Sequence, residues 1–241
     1  MKLINWECLE EMDKLIEQWI KVDAIITDPP YGTTACKWDS IIDFELMWLE
    51  LNRIIKPNGA IVLFGSEPFS SALRMSNIKN YKYDWVWKKS QWVNFAQSKH
   101  MPLKDTENIL CFWNFGLSKN AKIQGIYNPQ WLKDCNKVKN DKIYSEHRPN
   151  IQVRNFVTKK EWYPTQILKF WNDRGLHPTH KPLALMEYLI KTYTNEWETV
   201  LDFTMWSWTT IVACENLNRK WIWIELDETY FNIAKDRILT N

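Results

Sequence analysis

Residues 22–32 read Val-Asp-Ala-Ile-Ile-Thr-Asp-Pro-Pro-Tyr-Gly. The first six are mostly apolar and the run stops at two prolines and a glycine, which predicts a buried strand followed by a tight loop. Ligands of open α/β sheets bind at the carboxyl ends of strands. The loop offers the Asp28 carboxylate, the Pro29 carbonyl, the Tyr31 ring and, at Gly32, close backbone approach. These groups suit a planar ligand that carries an amino group, such as a nucleobase, although an ordinary proline turn uses the same residue types.

Apolar segments of strand and helix type alternate at both ends of the chain. Strands are predicted at 3–5, 22–27, 60–64, 81–87, 108–115, 200–203 and 221–225. Helices are predicted at 9–17, 44–55, 68–75, after Pro182, at 209–217 and up to about 238, with a helix stop and turn at 56–59. This alternation favours an α/β fold with an open, mostly parallel sheet covered by helices on both faces.

Composition restricts the class of protein. The 241 residues suit one α/β domain with an insertion. The five cysteines and four histidines show no metal-ligand spacing, so we expect reduced thiols and no metal. No apolar run approaches the roughly 20 residues of a membrane helix, and the amino terminus lacks a signal-peptide pattern. We therefore expect a cytoplasmic protein without a membrane partner.

Positive charge is concentrated in one segment. Residues 88–175 contain sixteen Lys and Arg against seven Asp and Glu, a net charge of +9, whereas the remainder carries −7. A basic insertion in an acidic frame fits contact with a polyanion, and a merely solvated surface is the alternative.

The loop after the predicted strand at 22–27 resembles the Asp/Asn/Ser-Pro-Pro-aromatic motif of DNA amino-methyltransferases, which methylate adenine N6 or cytosine N4 with S-adenosylmethionine. The resemblance implies catalytic roles for Asp28, Pro29, Pro30 and Tyr31. The target amino group would donate hydrogen bonds to the Asp28 carboxylate and the Pro29 carbonyl. Tyr31 would stack on a base extruded from double-stranded DNA. Aspartate at the first position favours adenine N6, with cytosine N4 as the alternative.

A second stretch, 200–210, resembles the cofactor loop of this family, Asp-x-Phe/Thr-x-Gly-x-Gly-Thr-Thr. Glycines in such a turn allow close backbone approach to the ligand, and the helix that follows points N–H groups at it. Both glycine positions are tryptophan in this chain. The resemblance implies cofactor contacts from Asp28, Asp202, Phe203, Trp206, Ser207, Trp208 and Thr209.

Three further positions fit a cofactor site. Glu225 follows about twenty residues after the loop, where a carboxylate suits a ribose diol, although a surface or capping role is the alternative. Residues 177–182 resemble the His-Pro-Thr-x-Lys-Pro element of the family, or a proline-rich helix entry. Residues 4–10 resemble the strand end that touches the cofactor adenine. The implied contacts are Glu7, Cys8, His177, Thr179, Lys181 and Glu225.

The catalytic loop precedes the cofactor loop, which is the order of the permuted group in the family. The resemblance implies an S-adenosylmethionine-dependent methyltransferase domain at 1–88 and 176–241, with an open sheet of the seven-stranded type. It also implies a target-recognition insertion at 89–175, of which a strand near 108–115 belongs to the main sheet. Expected phosphate contacts are Lys104, Lys159, Lys160 and Arg174. A restriction endonuclease is a candidate partner, and the protein is expected to be a monomer or homodimer.

Glycine is scarce and tryptophan abundant. About 17 glycines are expected at the roughly 7% average, but the chain has six glycines and sixteen tryptophans. The tryptophans at 6, 206, 208 and 223 stand where the family has glycine, and those at 19, 92 and 197 lie in turn-like or polar contexts. We hypothesise that UGA codons read as glycine in the source are written here as tryptophan. The alternative is a catalytically dead pseudo-methyltransferase that binds DNA without cofactor.

Overall fold

The computed structural model describes residues 1–34, 39–116, 121–140, 155–171, 181–205 and 209–240. Strands and helices alternate along most of this length. The strands are β1 (Lys2–Asn5), β2 (Val22–Thr27), β3 (Ile55–Gly65), β4 (Tyr81–Val93), β5 (Lys104–Phe112), β6 (Lys133–Asn140), β7 (Asn155–Glu161), β8 (Ile167–Lys169), β9 (Thr199–Asp202) and β10 (Lys220–Glu225). The helices are α1 (Cys8–Glu17), α2 (Phe44–Ile54), α3 (Phe69–Ser76), α4 (Leu183–Tyr193), α5 (Thr209–Asn216) and α6 (Glu228–Thr240).

The main sheet is open and mostly parallel, as predicted. Within the described residues its strand order is β1-β10-β9-β2-β3-β5-β4-β8. The first five strands in this order run parallel to their neighbours, β5 is antiparallel to both β3 and β4, and β8 is parallel to β4. The three-residue β8 makes eight strands, one more than the seven typical of the expected fold. The fold class predicted from the sequence is therefore confirmed.

Helices cover both faces of the sheet, and each face has its own apolar core. Alternate residues of β3 divide between the two cores, with Val62 and Phe64 on one face and Ile61 and Leu63 on the other. Helices α1, α2 and α3 pack on the second of these faces, while α4, α5 and α6 contribute to the first. All six residues of β2 are buried, which explains its almost uninterrupted apolar sequence.

The segment 56–59 differs from its prediction. It was expected as a turn between a helix and a strand, but it lies within β3. The register against β2 jumps from Val22 with Ile55 to Ala24 with Ala60, so the extra residues form a bulge. An ion pair of 2.6 Å between Lys56 Nζ and Asp23 Oδ1 spans this bulge. The sheet therefore absorbs a proline-containing turn without ending the strand.

The described chain forms two compact units. The first comprises 1–128 and 166–241 and contains the main sheet. The second comprises 129–165 and contains the β6–β7 antiparallel pair, in which Lys160 Nζ lies 2.6 Å from Asp134 Oδ1. The predicted insertion at 89–175 thus contains strands of the main sheet near both its ends, namely the end of β4, all of β5 and β8. Its role in target recognition stays a prediction.

Candidate active site

The catalytic loop follows β2, near the middle of the main sheet. Sheet order reverses direction between β9 and β2, which makes the carboxyl ends of these two strands a topological switch point. Asp28 lies directly after β2, and its Oδ2 is 2.6 Å from Lys181 Nζ. The hydroxyl of Tyr31 lies 2.5 Å from Asp28 Oδ1. The predicted catalytic carboxylate, with 18% of its side chain exposed, is therefore held in a polar network at the expected edge of the sheet.

Two charged residues that sequence reasoning missed complete this network. Glu107 Oε1 lies 2.8 Å from both the Tyr31 hydroxyl and Lys181 Nζ, and its Oε2 lies 2.5 Å from Lys89 Nζ. Only 4% of Glu107 is exposed. Because β5 runs antiparallel to β3, its first residues reach the edge where the parallel strands end. The position of Glu107 directly before the run predicted as a strand at 108–115 was the available signal.

The network shifts the proton affinities of its members. Burial and the Glu107 charge raise the pKa of Asp28, and the Lys181 ammonium opposes this rise. Burial also disfavours the charged form of Glu107, but Lys181 and Lys89 outweigh it and lower its pKa to about 2. Burial likewise disfavours the Lys181 ammonium, yet the two carboxylates raise its pKa. Burial and both carboxylates raise the pKa of Tyr31, so its hydroxyl keeps its proton.

Asp39, also missed from the sequence, holds the loop that follows the catalytic motif. Its carboxylate accepts hydrogen bonds from four successive backbone N–H groups, those of residues 31–34, at 2.6 to 2.9 Å. Gly32 in this turn has φ of +66°, and a Cβ there would lie 2.8 Å from Ile41 Cγ1. Only glycine therefore fits this position without strain.

A crevice lies beside Asp28 at the carboxyl ends of β1, β2, β9 and β10. Its volume is about 310 Å³. Five of the predicted cofactor residues line it: Glu7, Cys8, Asp28, Phe203 and Glu225. The lining also includes Trp6, Pro30, Ser40, Ile42, Thr204, Leu226, Asp227 and Tyr230. Apolar and aromatic walls with a few carboxylates suit a nucleoside.

Asp202 ends β9 in a shell of hydroxyl groups. Its Oδ1 accepts from the Thr27 hydroxyl and, at 3.3 Å, from the Thr204 N–H, and its Oδ2 accepts from Thr210 at 3.0 Å. Burial raises the pKa of Asp202 to about 6, against the effect of the Thr27 and Thr210 hydrogen bonds. Thr204 also bonds the Thr27 hydroxyl at 2.8 Å and the Asp28 carbonyl at 3.2 Å. The ends of β2 and β9 are thus joined both directly, from Thr27 to Asp202, and through Thr204.

Glu225 ends β10 on the wall of the crevice. The N–H of Asp227 donates to its Oε1 at 2.8 Å. Among the residues that the structure describes, no cation pairs with Glu225, and burial raises its pKa to about 8. A carboxylate at the end of the strand next to the cofactor loop is the arrangement that binds a ribose diol in doubly wound folds.

Of the remaining predicted site residues, some lie near the crevice and others lie outside the described residues. Lys181 contacts Asp28 but does not itself line the crevice. Thr209 is buried at the start of α5. Glu7 lines the crevice but also caps α1 by accepting from the Glu10 N–H at 2.9 Å. The predictions for His177, Thr179, Trp206, Ser207, Trp208 and Arg174 lie outside the described residues.

Three of the four predicted phosphate contacts lie within the described residues. Lys104 Nζ contacts the Ser66 hydroxyl, Lys160 pairs with Asp134, and Lys159 is exposed. In the described ranges, no three His, Cys, Asp or Glu side chains form a group able to hold a metal ion. Over the same ranges, no helix is long and apolar enough to cross a bilayer.

A switch-point crevice with a buried carboxylate on its wall, beside a partly buried Asp-Pro-Pro-Tyr loop, is typical of an α/β protein that binds a nucleoside. The family model described as DNA methylase, N6_N4_Mtase, matches residues 22–236. The chain belongs to this family of adenine-N6 and cytosine-N4 DNA methyltransferases, and S-adenosylmethionine is its cofactor.

Individual relatives agree with this assignment. The Type II methyltransferase M.HpaI of Haemophilus parainfluenzae is 29% identical over 98% of this chain and 74% of its own length. M2.LlaDCHI of Lactococcus lactis subsp. cremoris is 27% identical over 98% of this chain and 88% of its own length. The crystal structure of the M1.HpyAVI–SAM complex is 30% identical, with a TM-score of 0.63 and 98% of each chain covered.

Proposed function

We propose that the protein is a site-specific adenine-N6 DNA methyltransferase, and that Asp28, Pro29 and Tyr31 hold the target amino group. The observation that carries the proposal is the position of Asp28, which both lines the cofactor crevice and belongs to the buried network. Aspartate at the first motif position supports adenine. Cytosine N4 is the second candidate, because both targets present an exocyclic amino group to the same loop.

The proposed chemistry begins with the weak nucleophilicity of the target nitrogen, whose lone pair is delocalised into the base. Hydrogen bonds from its two N–H groups to the Asp28 carboxylate and the Pro29 carbonyl favour a pyramidal nitrogen with a directed lone pair. Asp28 must be ionised to accept such a bond. The ring of Tyr31 already stacks on Phe69, with centroids 5.0 Å apart, so stacking on the flipped base would use its other face.

The crevice fits the cofactor of the family. Glu225 would accept the ribose hydroxyls, and the aromatic wall that includes Phe203 would contact the adenine. Bound S-adenosylmethionine supplies an electrophilic methyl group on its sulfonium. Asp28 on the crevice wall would bring the target base next to it, so that much of the rate enhancement comes from positioning two bound reactants.

We further propose that the basic segment at 89–175 contacts DNA phosphates, with Lys104, Lys159, Lys160 and Arg174 among the contacts. Its net charge supports this role. The relatives are named Type II methyltransferases, which supports a place beside a restriction endonuclease of the same specificity. Whether the active form is a monomer or a homodimer stays a prediction.

Backbone conformation supports the hypothesis that some tryptophans stand at glycine positions. Among the described residues, six non-glycine residues have positive φ, and four of them are tryptophan: Trp19 (58°), Trp131 (61°), Trp162 (68°) and Trp197 (67°). Their side chains are between 57% and 90% exposed. A bulky residue in the left-handed region is a genuine outlier, whereas glycine adopts it freely.

Trp19 gives the sharpest case. Its N–H donates to the Ile16 carbonyl at 2.9 Å, and the N–H of Ile20 donates to the Leu15 carbonyl at 3.0 Å. These two bonds form a Schellman motif at the end of α1, with Trp19 at the position where glycine is usual. A pseudo-enzyme that had decayed at random would not concentrate tryptophan at such positions.

The gene sequence tests the hypothesis directly. We expect TGA codons at the four left-handed tryptophans and at Trp206 and Trp208, and TGG at a packed tryptophan such as Trp48. Peptide mass spectrometry of the protein from its natural source should then show glycine at the TGA positions. TGG codons at Trp206 and Trp208 would favour the pseudo-methyltransferase instead.

The activity is tested with the Trp206→Gly, Trp208→Gly double variant, called here the loop variant. We expect calorimetry to show S-adenosylmethionine binding by the loop variant but not by the chain as written, because glycine permits close backbone approach. DNA treated with the loop variant should contain N6-methyladenine by nucleoside mass spectrometry. N4-methylcytosine would establish the second candidate, and binding by the chain as written would refute the steric argument.

Asp28→Ala in the loop variant separates catalysis from binding. We expect methyl transfer to be abolished and cofactor affinity to stay within a few-fold, because the carboxylate acts mainly on the target base. An equal loss of affinity and activity would contradict this role. Asp13→Ala, a change at an exposed carboxylate paired with Arg53, is the matched control.

A further inference from the structure

We propose that Glu107 is a positioning residue that sets the proton affinity of Asp28 by holding Lys181 and the Tyr31 hydroxyl against it. This inference rests on the proposed function, in which Asp28 accepts the target amino group. It adds a role for the buried carboxylate and for Lys89, neither of which belongs to the sequence motif.

The Tyr31 hydroxyl has one hydrogen and two carboxylate neighbours. Its oxygen lies 2.5 Å from Asp28 Oδ1 and 2.8 Å from Glu107 Oε1, so it donates to only one of them at a time. When Asp28 is ionised, the hydroxyl can donate to Asp28. When Asp28 carries a proton, it can donate to the Tyr31 oxygen while Tyr31 donates to Glu107. The second carboxylate therefore favours the protonated state of the first, by accepting from Tyr31 and by its charge.

Lys181 is shared in the same way. Its Nζ lies 2.6 Å from Asp28 Oδ2 and 2.8 Å from Glu107 Oε1, above the Phe64 ring at 4.9 Å. Without Glu107 the ammonium would neutralise Asp28 alone and weaken it as an acceptor. Lys89, bound to the outer oxygen of Glu107, balances the charge of the second carboxylate.

This balance matters for the proposed reaction. Once the target nitrogen has gained a methyl group it is positively charged, and one N–H bond must break with the proton passing to an acceptor. Asp28 is the nearest carboxylate, and the proton would move from the nitrogen to a carboxylate oxygen. An Asp28 held entirely by Lys181 would take this proton poorly, whereas one shared with Glu107 takes it readily.

The first test does not depend on activity and uses the chain as written. Carboxyl-¹³C NMR, with Asp28 assigned from the spectrum of Asp28→Asn, gives the Asp28 titration directly. We expect Glu107→Gln to lower the Asp28 pKa by about one unit and Lys89→Met to raise it, because the two variants remove opposite charges. The titratable groups that face Asp28 are Lys181, Glu107, Asp202 and the neutral Tyr31 hydroxyl, and Lys89 lies behind Glu107, to which it is ion-paired.

Glu50→Gln is the matched control, since Glu50 is also buried and ion-paired, with Arg53, but lies on α2. It should leave the Asp28 titration unchanged. An Asp28 pKa that is the same in Glu107→Gln, in Lys89→Met and in the parent protein would overturn the proposal. If one variant fails to fold, the direction of the shift in the other still decides.

The second test uses the loop variant. The acidic limb of kcat/KM for DNA should move to lower pH in Glu107→Gln, with kcat reduced and cofactor affinity unchanged. A reduced kcat with an unmoved acidic limb would show a merely structural role and overturn the proposal. Absence of methyl transfer in the loop variant itself would refute the proposed function, while the NMR titration would still judge Glu107.

Discussion

Burial of the Glu225 carboxylate in the crevice lowers the stability of the fold when this carboxylate is ionised. Its carboxylate is buried on the crevice wall, and burial raises its pKa to about 8, whereas an unfolded glutamate titrates near 4.5. The folded protein therefore binds a proton that the unfolded chain has released. Between these two pKa values the unfolded state holds fewer protons, so stability falls as pH rises from about 4.5 to about 8.

We predict that Glu225→Gln raises the free energy of unfolding at pH 8 by on the order of 2 kcal/mol, because no charge is then buried. Near pH 4 the variant and parent should be equally stable. Urea denaturation at both pH values measures this. Glu228→Gln, at the exposed start of α6, is the control and should have little effect at either pH. A Glu225→Gln protein that is less stable at pH 8 would contradict the prediction.

At the residue scale, site residues that belong to a sequence motif or end a strand could be predicted from the sequence. Site residues that reach the site only through tertiary contacts could not. Asp28, Glu225 and Phe203 lie on the crevice because each directly follows or ends a strand that the apolar pattern revealed. Glu107 and Asp39 have no such local pattern. Their roles arise from an antiparallel strand and a returning loop, which bring residues distant in sequence to Tyr31.

The catalytic loop is a short element held by a single carboxylate. The buried Asp39 side chain collects the four N–H groups of residues 31–34 and so fixes the conformation of a loop whose own residues are partly or fully exposed. Burial disfavours the ionised form of Asp39, but a hydrogen bond from the Thr34 side chain and those from the N–H groups of residues 32–34 outweigh it and lower its pKa. Its contribution to stability is thus present above the unfolded pKa, near 3.8, and is lost as pH falls through the lower folded value.

We predict that Asp39→Asn lowers the free energy of unfolding at pH 7 by about 2 kcal/mol, since charge-assisted hydrogen bonds become weaker neutral ones. The difference from the parent should shrink as pH falls below about 3.8, the ordinary aspartate pKa. Thermal unfolding across this pH range measures it. Asp13→Asn, at an exposed ion pair, should cost less than about 1 kcal/mol. A pH-independent loss would show that shape, not charge, holds the loop.

At the element scale the strands of the main sheet and the helices were predictable, but several boundaries were not. Strand β4 extends to Val93 and β5 begins at Lys104, both beyond the apolar runs that predicted them. Most of these added residues are polar and at least partly exposed, and Glu107 is the exception because it is buried in the network with Tyr31 and Lys181. Residues 56–59 were expected as a turn because proline and glycine favour turns. The same two residue types also occur in β-bulges, so Pro57 and Gly59 did not distinguish a turn from a bulge.

The charge of the whole molecule is divided between a basic segment and an acidic frame. Of the basic candidates, Lys159 is exposed and Lys160 is paired with Asp134 in the unit at 129–165. Such exposed side chains can turn towards a phosphate at little cost in free energy, because the surface ion pair that must be broken is weak. The division was visible in the sequence, since charge counts need no knowledge of the fold.

We predict that alanine at Lys104, Lys159, Lys160 and Arg174 weakens DNA binding and flattens its salt dependence. Each lost phosphate contact should reduce the log–log slope by about 0.9. Fluorescence anisotropy across a salt series measures the slope. Alanine at Lys2, Lys21, Lys56 and Lys220 removes the same charge from the amino-terminal edge of the sheet, and the slope should then hardly change. Equal slopes for the two variants would place the basic segment away from DNA.

Thr204 bridges the end of the strand that carries Asp28 and the end of the strand that carries Asp202. A ligand that orders one strand end therefore changes the free energy of ordering the other. By thermodynamic reciprocity, the factor by which cofactor tightens DNA binding equals the factor by which DNA tightens cofactor binding. Thr204→Val deletes one of the two hydroxyl links between these strand ends and leaves the direct Thr27–Asp202 bond, so it would lower that factor without removing it. The side chains where two strands end would thereby influence how strongly the binding of one substrate depends on the other.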